Sequence, residues 1–216
     1  MKNDKQSIMN DQREKMINNH LIARGISDKR VIEAMRRIDR ELFIPDQYMI
    51  DAYGDHPLPI GEGQTISQPY IVALMSQLCS FKGDEKVLEI GCGSGYQAAV
   101  LSILAAQVYS IERIKNLYNS SKALLKNLGY SNVEVIPGDG YLGLPDKAPF
   151  DVIILTAAPG EPPPALLEQL APGGRMIAPV GGSVQQLIKV TSTEKGLQTE
   201  EIIHVRFVPM VPGYNK

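Results

Sequence analysis

The sequence predicts an α/β protein built on a doubly wound parallel sheet, with a helical cap before the sheet and an antiparallel strand pair after it. Three observations carry this expectation. Lys86–Tyr96, KVLEIGCGSGY, runs a short apolar stretch into alternating glycines at Gly91, Gly93 and Gly95, and a helical pattern follows from Ala98; the order is strand, tight turn, helix start. The run FDVIILT at 150–156 is almost continuously apolar, as a parallel strand covered on both faces must be. Strand-like and helix-like periods then alternate along the chain, which is the pattern of a doubly wound sheet. A chain of 216 residues with 44% hydrophobic residues is long enough for one good-sized α/β core.

Taken in order, residues 1–50 read as helical and separate from the sheet. Met9, Met16, Ile17, Leu21 and Ile22 fall near helical spacing, with Gly25 as a stop, and Ser27 is placed to cap a second helix through Val31, Ile32, Met35 and Ile38. Residues 51–70, DAYGDHPLPIGEGQTISQPY, read as a structured loop because prolines and glycines interrupt every apolar run. A helix through Ile71, Leu74, Met75 and Leu78 follows, with Ser67 at its N-cap and Pro69 in its first turn. Capping does not bar Ser67 from a ligand, since its oxygen can accept the Tyr70 N–H while its hydrogen is donated elsewhere. After the glycine loop, residues 108–112 form a second strand. Residues 113–128 form an amphipathic helix with Gly129 just past its end, and residues 132–136 form a third strand ending in Gly138-Asp139-Gly140. A short helix at 162–170 leads into a strand at 173–182 whose end loops toward substrate. Residues 186–190 and 202–208 alternate around Glu194-Lys195-Gly196 as a hairpin-like pair, whose order in the sheet is left open.

The glycine spacing narrows the choice of cofactor. A dinucleotide fingerprint wants G-x-G-x-x-G with a pyrophosphate at the helix start, but here the third glycine comes one residue early and Tyr96 stands where that glycine belongs. The G-x-G-x-G form, with Glu89 inside the strand, instead resembles motif I of S-adenosylmethionine-dependent methyltransferases. Glycine at Gly91, Gly93 and Gly95 lets a ligand approach the backbone with no Cβ in the way. Glu112 ends the second strand 21 residues beyond Gly91, near the spacing of a ribose-binding acid. Asp139 between two glycines is either an Asx-turn residue or the acid that meets the adenine amino group, and the glycine loop favours the second reading.

Composition excludes several classes. A net charge of −2 leaves no electrostatic footprint for nucleic acid or an anionic membrane. Cys79 and Cys92 have no metal-ligand spacing and read as reduced thiols, and His20 has no partner to make it a ligand. The polar MKNDKQS start and the lack of a long apolar run point to a soluble, cytoplasmic protein. No metal site is expected.

A set of motifs occurs in order: YGD at 53–55, LPIG at 58–61, GQTISQPY at 63–70, VLEIG-GSGYQAAVL across 87–101, IER at 111–113, GDG at 138–140, APFD at 148–151, TAAP at 156–159, QLAPGGR at 169–175, PVG at 179–181 and VRFVP at 205–209. Together they resemble the protein-L-isoaspartate (D-aspartate) O-methyltransferase family from about residue 25 to 212. The resemblance implies a Rossmann-like methyltransferase core over 81–216. Residues 1–80 would supply a helical cap and an active-site loop within the same compact unit. It implies S-adenosyl-L-methionine as cofactor, held by Glu89, Gly91, Gly93, Gly95, Glu112, Asp139 and Gly140, and Ser67 as the active-site serine. It also implies acceptors that are L-isoaspartyl residues of damaged proteins and peptides, with D-aspartyl as a second acceptor and a monomeric enzyme. Methylation of the isoaspartyl α-carboxylate would lead through a succinimide to repair. Thr65, Ile66, Pro179, Val180 and Gly181 are expected to clasp the peptide from opposite sides. Cys92 departs from the family, which more often has Thr there, and puts a thiol beside the cofactor, open to oxidation.

The chemistry asks for little acid–base machinery, because a free carboxyl titrating near 4 is already an ionised nucleophile at neutral pH. Alignment of oxygen, methyl and sulfur is what remains, so His56 is not needed as a base. A different acceptor is the first alternative; for nucleic acid the N/D-P-P-Y/F type of signature is missing, and TAAP stands in its place. A cofactor-binding protein without turnover is the second, opposed by the intact GQTIS and glycine-loop motifs.

Overall fold

The computed structural model describes residues 2–215; Met1, at the start of the expected helical cap, and Lys216 lie outside them. The chain begins with α1 (Lys2–Lys15), which passes through a π-turn at Met16–Leu21 and a 3-10 turn at Ile22–Arg24 to α2 (Lys29–Arg37). Two 3-10 turns lead to β1 (Leu58–Gly61) and β2 (Gln64–Ile66), then α3 (Pro69–Leu78). The core follows as β3 (Lys86–Ile90), α4 (Tyr96–Leu104), β4 (Gln107–Glu112), α5 (Lys115–Asn127), β5 (Val133–Pro137), β6 (Phe150–Leu155), α6 (Pro164–Leu167), β7 (Leu170–Gly181), β8 (Gln185–Thr193) and β9 (Gly196–Val205).

The core strands form one sheet in the order β5-β4-β3-β6-β7-β8-β9. β3 pairs in parallel with both β4 and β6, whereas β7–β8 and β8–β9 are antiparallel. The last two strands, left open by the sequence, therefore follow each other in chain order. The apolar run of β6 is buried as expected, and its residues divide between the two faces. Val152 and Ile154 join the core shared with the N-terminal helices, and Phe150, Ile153 and Leu155 join the core on the opposite face. Each is fully buried, worth about 1.5–3 kcal/mol per side chain. β3 divides the same way, with Val87 on the first face and Leu88 and Ile90 on the second.

The N-terminal helices close the first face. Met16, Ile17, Leu21, Val31 and Met35 are buried in the cluster that also holds Ala98 and Leu101 of α4, while Ile22 faces outward at 45% exposure. Gly25 ends the first helical stretch at φ +92°. Asp28, not Ser27, caps α2 by accepting the Arg30 N–H at 2.9 Å; the Ser27 N–H is donated to Gln77. Residues 58–66 form an antiparallel hairpin where the sequence predicted only a loop. Its strands are only four and three residues long, and Pro59 and Gly61 interrupt the first, so they carry too little periodicity to show in sequence.

Two glycines flank helices for different reasons. Gly129 follows α5 at φ +83°, and the Gly129 and Tyr130 N–H groups return to Lys126 and Leu125 carbonyls in a Schellman arrangement; a Cβ there would meet nothing. Gly95 begins α4 at φ +88°, and a Cβ there would lie 3.2 Å from Leu125. Gly129→Ala should therefore cost about 1 kcal/mol from backbone strain alone, and Gly95→Ala roughly 2–3 kcal/mol because crowding is added. Urea unfolding midpoints test the ranking; equal losses would show that Leu125 yields at no cost.

Candidate active site

The strand order reverses at β3, with β4 on one side and β6 on the other. Crevices at such a reversal, beyond the carboxyl ends of the strands, are where open α/β sheets hold ligands. A cavity of about 110 Å³ lies there. One wall is the glycine loop, through Gly91, Cys92, Gly93 and Ser94; another is the end of the hairpin, Gln64–Ser67. Glu112, Gly140 and Thr156 come from the ends of three further strands, and residues 208–211 cover the remaining side.

The loop is fixed through its backbone. Gly91 and Cys92 N–H groups are donated to the Ile111 carbonyl at 2.8 and 3.3 Å. The Thr156 hydroxyl donates to the Gly91 carbonyl at 2.6 Å, and a Cβ at Gly91 would strike that hydroxyl. Glu112 accepts the Gly93 N–H through Oε2 and the Ile114 N–H through Oε1, both at 2.8 Å. Each oxygen keeps a further lone pair, and the residue lines the cavity. A carboxylate so held stays placed for hydroxyl donors.

The two other predicted acids do not line the cavity. Glu89 is fully buried beneath the loop, where Ser110 donates to its Oε2 and Oε1 has no partner among the described residues. Burial pushes its carboxyl up to about 8; the Ser110 hydroxyl works against this shift and the Glu112 charge adds to it. Asp139 accepts the Tyr141 N–H at 2.9 Å, the Asx-turn geometry, and the Gly213 N–H at 2.7 Å. Its neighbour Gly140 is on the wall, where a Cβ would collide with Ile90.

Thr65, Ile66 and Ser67 line the cavity, but Ser67 does not cap α3. Gln68 holds the N-cap position, and the Tyr70 N–H is donated to Asp55 at 3.2 Å. Asp55 also accepts from Gln68 and forms an ion pair with Arg24. A cap supplied from 15 residues upstream leaves no local sequence signal. Gly95 stands one residue back from the cavity, its N–H donated to Cys92 at 2.8 Å as α4 begins. Pro179, Val180 and Gly181 are not loop residues; they pair in β7 with Leu187, Gln186 and Gln185. Gly181 does line a second, open groove with Val184, His204 and Phe207. Cys92 is 4% exposed, and burial together with Glu89 pushes its thiol well up, which disfavours the thiolate that oxidation requires.

Sequence reasoning also missed two contributors. Residues 208–211 reach the cavity because Ala158 and residues 208–210 exchange backbone hydrogen bonds of 2.9 and 2.7 Å. Arg40 is fully buried among the N-terminal turns, and its Nη2 donates to the Ser67 carbonyl at 2.8 Å.

This arrangement was compared with known proteins. The model of the family described as protein-L-isoaspartate(D-aspartate) O-methyltransferase matches residues 11–215. The chain belongs to that family. Its match begins well before residue 25, so the family likeness takes in most of the first helical stretch. Protein-L-isoaspartate O-methyltransferase 1 of Syntrophobacter fumaroxidans is 52% identical over 200 residues, covering 92% of this chain and 94% of the relative. The Myxococcus xanthus enzyme is 50% identical over 196 residues, covering 88% and 92%. Among solved structures, a protein-L-isoaspartate O-methyltransferase aligns at a TM-score of 0.83 and 32% identity over 91% of this chain and 65% of that longer one. A Plasmodium falciparum family member in complex with S-adenosyl-L-homocysteine aligns at 0.80 and 27% identity, covering 92% and 98%.

Glu89 yields a pH prediction. Its carboxyl is held above the ordinary value on folding, so its protonated form fits the core without penalty below about pH 4.5, and stability falls as pH rises through about 8. Glu89→Gln removes the ionisation. The variant should gain melting temperature relative to the parent at pH 8.5, and the gain should shrink toward pH 5.5. Thermal unfolding by circular dichroism at both values reads this; a pH-independent difference would mean that Glu89 titrates normally.

Proposed function

We propose that this chain transfers the methyl group of S-adenosyl-L-methionine to the free α-carboxylate of L-isoaspartyl residues in damaged proteins and peptides. D-aspartyl residues are a second acceptor, and repair follows through a succinimide. The single observation that carries this reading is the cavity at the strand reversal. It brings the Gln64–Ser67 hairpin end face to face with the glycine loop, in a chain whose relatives at about 50% identity are protein-L-isoaspartate O-methyltransferases.

The residues present fit the cofactor. Gly91 and Gly93 expose backbone to the cavity, Glu112 presents a fixed carboxylate, and Ile111, Leu117 and Met210 supply apolar surface. Gly91, Gly93 and Gly95 shape the loop that takes the methionine part, and Glu112 accepts the ribose hydroxyls. Gly140 borders the adenine; Asp139 serves that corner by holding Tyr141 and Gly213, and Glu89 supports the loop from below. When bound, the cofactor supplies an activated methyl on a sulfonium.

On the acceptor side the chain has only to orient and to exclude water, since the nucleophile is an already ionised carboxylate. Ser67 donates its hydroxyl to one carboxylate oxygen, and Thr65 and Ile66 flank the peptide. Pro209 lines both the cavity and the groove at Gly181; Gly181 thereby guides the peptide from the opposite side, with Pro179 and Val180 preceding it in β7 and lining neither space. Residues 1–80 work as cap and acceptor side and 81–216 as cofactor side of one compact unit. We place this enzyme in the cytoplasm as a monomer; its two free, buried cysteines suit a reducing compartment. Among the described residues no helix is long and apolar enough to cross a membrane, and no cluster of metal-ligating side chains occurs.

The direct test is transfer of labelled methyl to two peptides differing only in one L-isoaspartyl versus L-aspartyl residue. Base-labile label on the isoaspartyl peptide alone is expected; label on neither peptide, with S-adenosyl-L-homocysteine still bound, would rule this acceptor out. Ser67→Ala should lower turnover about tenfold or more while the S-adenosyl-L-homocysteine dissociation constant measured by calorimetry stays within about threefold. Parallel loss of both would remove Ser67 from the acceptor side.

A further inference from the structure

We propose that Arg40 is a positioning residue for methyl transfer, fixing Ser67 at the cavity wall and setting the hairpin against the cofactor loop. This inference rests on the role of Ser67 given above and adds the group through which that role is exercised.

Arg40 is a buried cation that makes no direct ion pair among the described residues, with Asp55 acting on it only through space. It has no exposed surface, and none of the ion pairs among the described residues includes it. Burial pushes its guanidinium down from the ordinary arginine value, against the opposing influence of Tyr96. Desolvating a charge is costly unless strong polar contacts compensate. A residue needed only to fill this space would be better as methionine or leucine, so the guanidinium itself has to account for its presence.

Its contacts are those of a rigid, planar fork. Nε donates to the Ala52 carbonyl and Nη2 to the Ser67 carbonyl, each at 2.8 Å. These two carbonyls lie on either side of the hairpin in sequence, so one planar group ties both ends of the segment that presents Thr65 and Ile66. The face of the same group lies over the Tyr96 ring, 4.7 Å from its centroid. Tyr96 is the first residue of α4, directly after Gly95, and it lines the cavity as Ser67 does. Phe43, in Arg40's own turn, also packs on Tyr96, the two rings edge-on with centroids 5.5 Å apart. Nη1 has no hydrogen-bond partner among the described residues.

The geometry explains how Ser67 can be placed without being a helix cap. Among the described residues its hydroxyl makes no hydrogen bond, so what places Ser67 at the wall is the backbone on either side, which fixes where its Cβ stands. Arg40 holds the Ser67 carbonyl, and Asp55 holds the Gln68 side chain and the Tyr70 N–H. A lysine at 40 keeps the charge but offers a single ammonium point, which cannot hold two carbonyls and lie flat on Tyr96 together.

The test is a double-mutant cycle on the full chain with Arg40→Lys, Ser67→Ala and the pair, read as kcat on an isoaspartyl peptide and as the dissociation constant of S-adenosyl-L-homocysteine. Arg40→Lys should lower kcat about tenfold with that constant within about threefold, and the double variant should be no slower than the slower single one within about twofold. Losses that multiply in the pair, or equal loss of turnover and cofactor affinity, would overturn the inference and leave Arg40 as a packing element. If Ser67→Ala turns over at the parental rate, the reading of Ser67 fails and this one falls with it. If Ser67→Ala is impaired and the losses multiply, only the role of Arg40 fails. Should Arg40→Lys not fold, Arg40→Gln takes its place in the same cycle, since its amide can donate to one carbonyl without burying a charge.

Discussion

A glycine loop has no side chains with which to fix itself, so its position here depends on groups lent by neighbouring strands, above all the Glu112 carboxylate that accepts the Gly93 and Ile114 N–H groups together. Two backbone donors on one charged acceptor are stronger than neutral pairs, and this acceptor is 4% exposed, where water competes little. Thr156 adds a second tie from β6 through the Gly91 carbonyl. The loop is thus suspended between the two strands that flank β3, and the cavity lies where those ties leave room. Gly91 is glycine because its φ of +98° disfavours any side chain and the Thr156 hydroxyl occupies the space of a Cβ.

The acceptor side is organised by a different economy. The hairpin at 58–66 is too short to hold its own shape, since a two-stranded ribbon is marginal without something to pack on. Leu58 and Ile66 are buried in the core shared with the N-terminal helices. Asp55 gathers Arg24, Gln68 and the Tyr70 N–H, and Arg24 lies over the Tyr70 ring at 3.5 Å. The first helical stretch therefore does more than cover one face of the sheet: its last residues hold the turn that leads into Ser67.

What the sequence disclosed and what it hid follow from the range of the interactions. The glycine loop, β6 and the end of α5 were legible because their causes are local: alternate glycines, a two-faced apolar run, a glycine past a helix. The doubly wound sheet followed from them. The hairpin was hidden because its register depends on Leu58 and Ile66 finding a core made elsewhere. Ser67 looked like a cap because a serine just ahead of an apolar helical run commonly is one; the helix begins at Pro69 with Gln68 at the N-cap, and Asp55 takes the Tyr70 N–H from a distance. Asp139 looked free for a ligand because its partner Gly213 is 74 residues away. Arg40 was overlooked for the same reason: a charged residue in a helical segment is ordinarily solvated, and only the packed chain shows the Ala52 and Ser67 carbonyls meeting around it.

The covering of the cavity by residues 208–211 has a bearing on how the molecule comes into being. This segment is pinned by backbone bonds to Ala158, by Tyr141 to the Met210 carbonyl at 3.2 Å, and by the Asp139–Gly213 contact. All of its anchors are made earlier on the ribosome than the segment itself. A chain emerging from its N-terminus can assemble the hairpin, the glycine loop and most of the sheet while the cleft still stands open on one side. Closure of the pocket then comes after its walls are made, through contacts of very long sequence separation, the kind that form slowly and late.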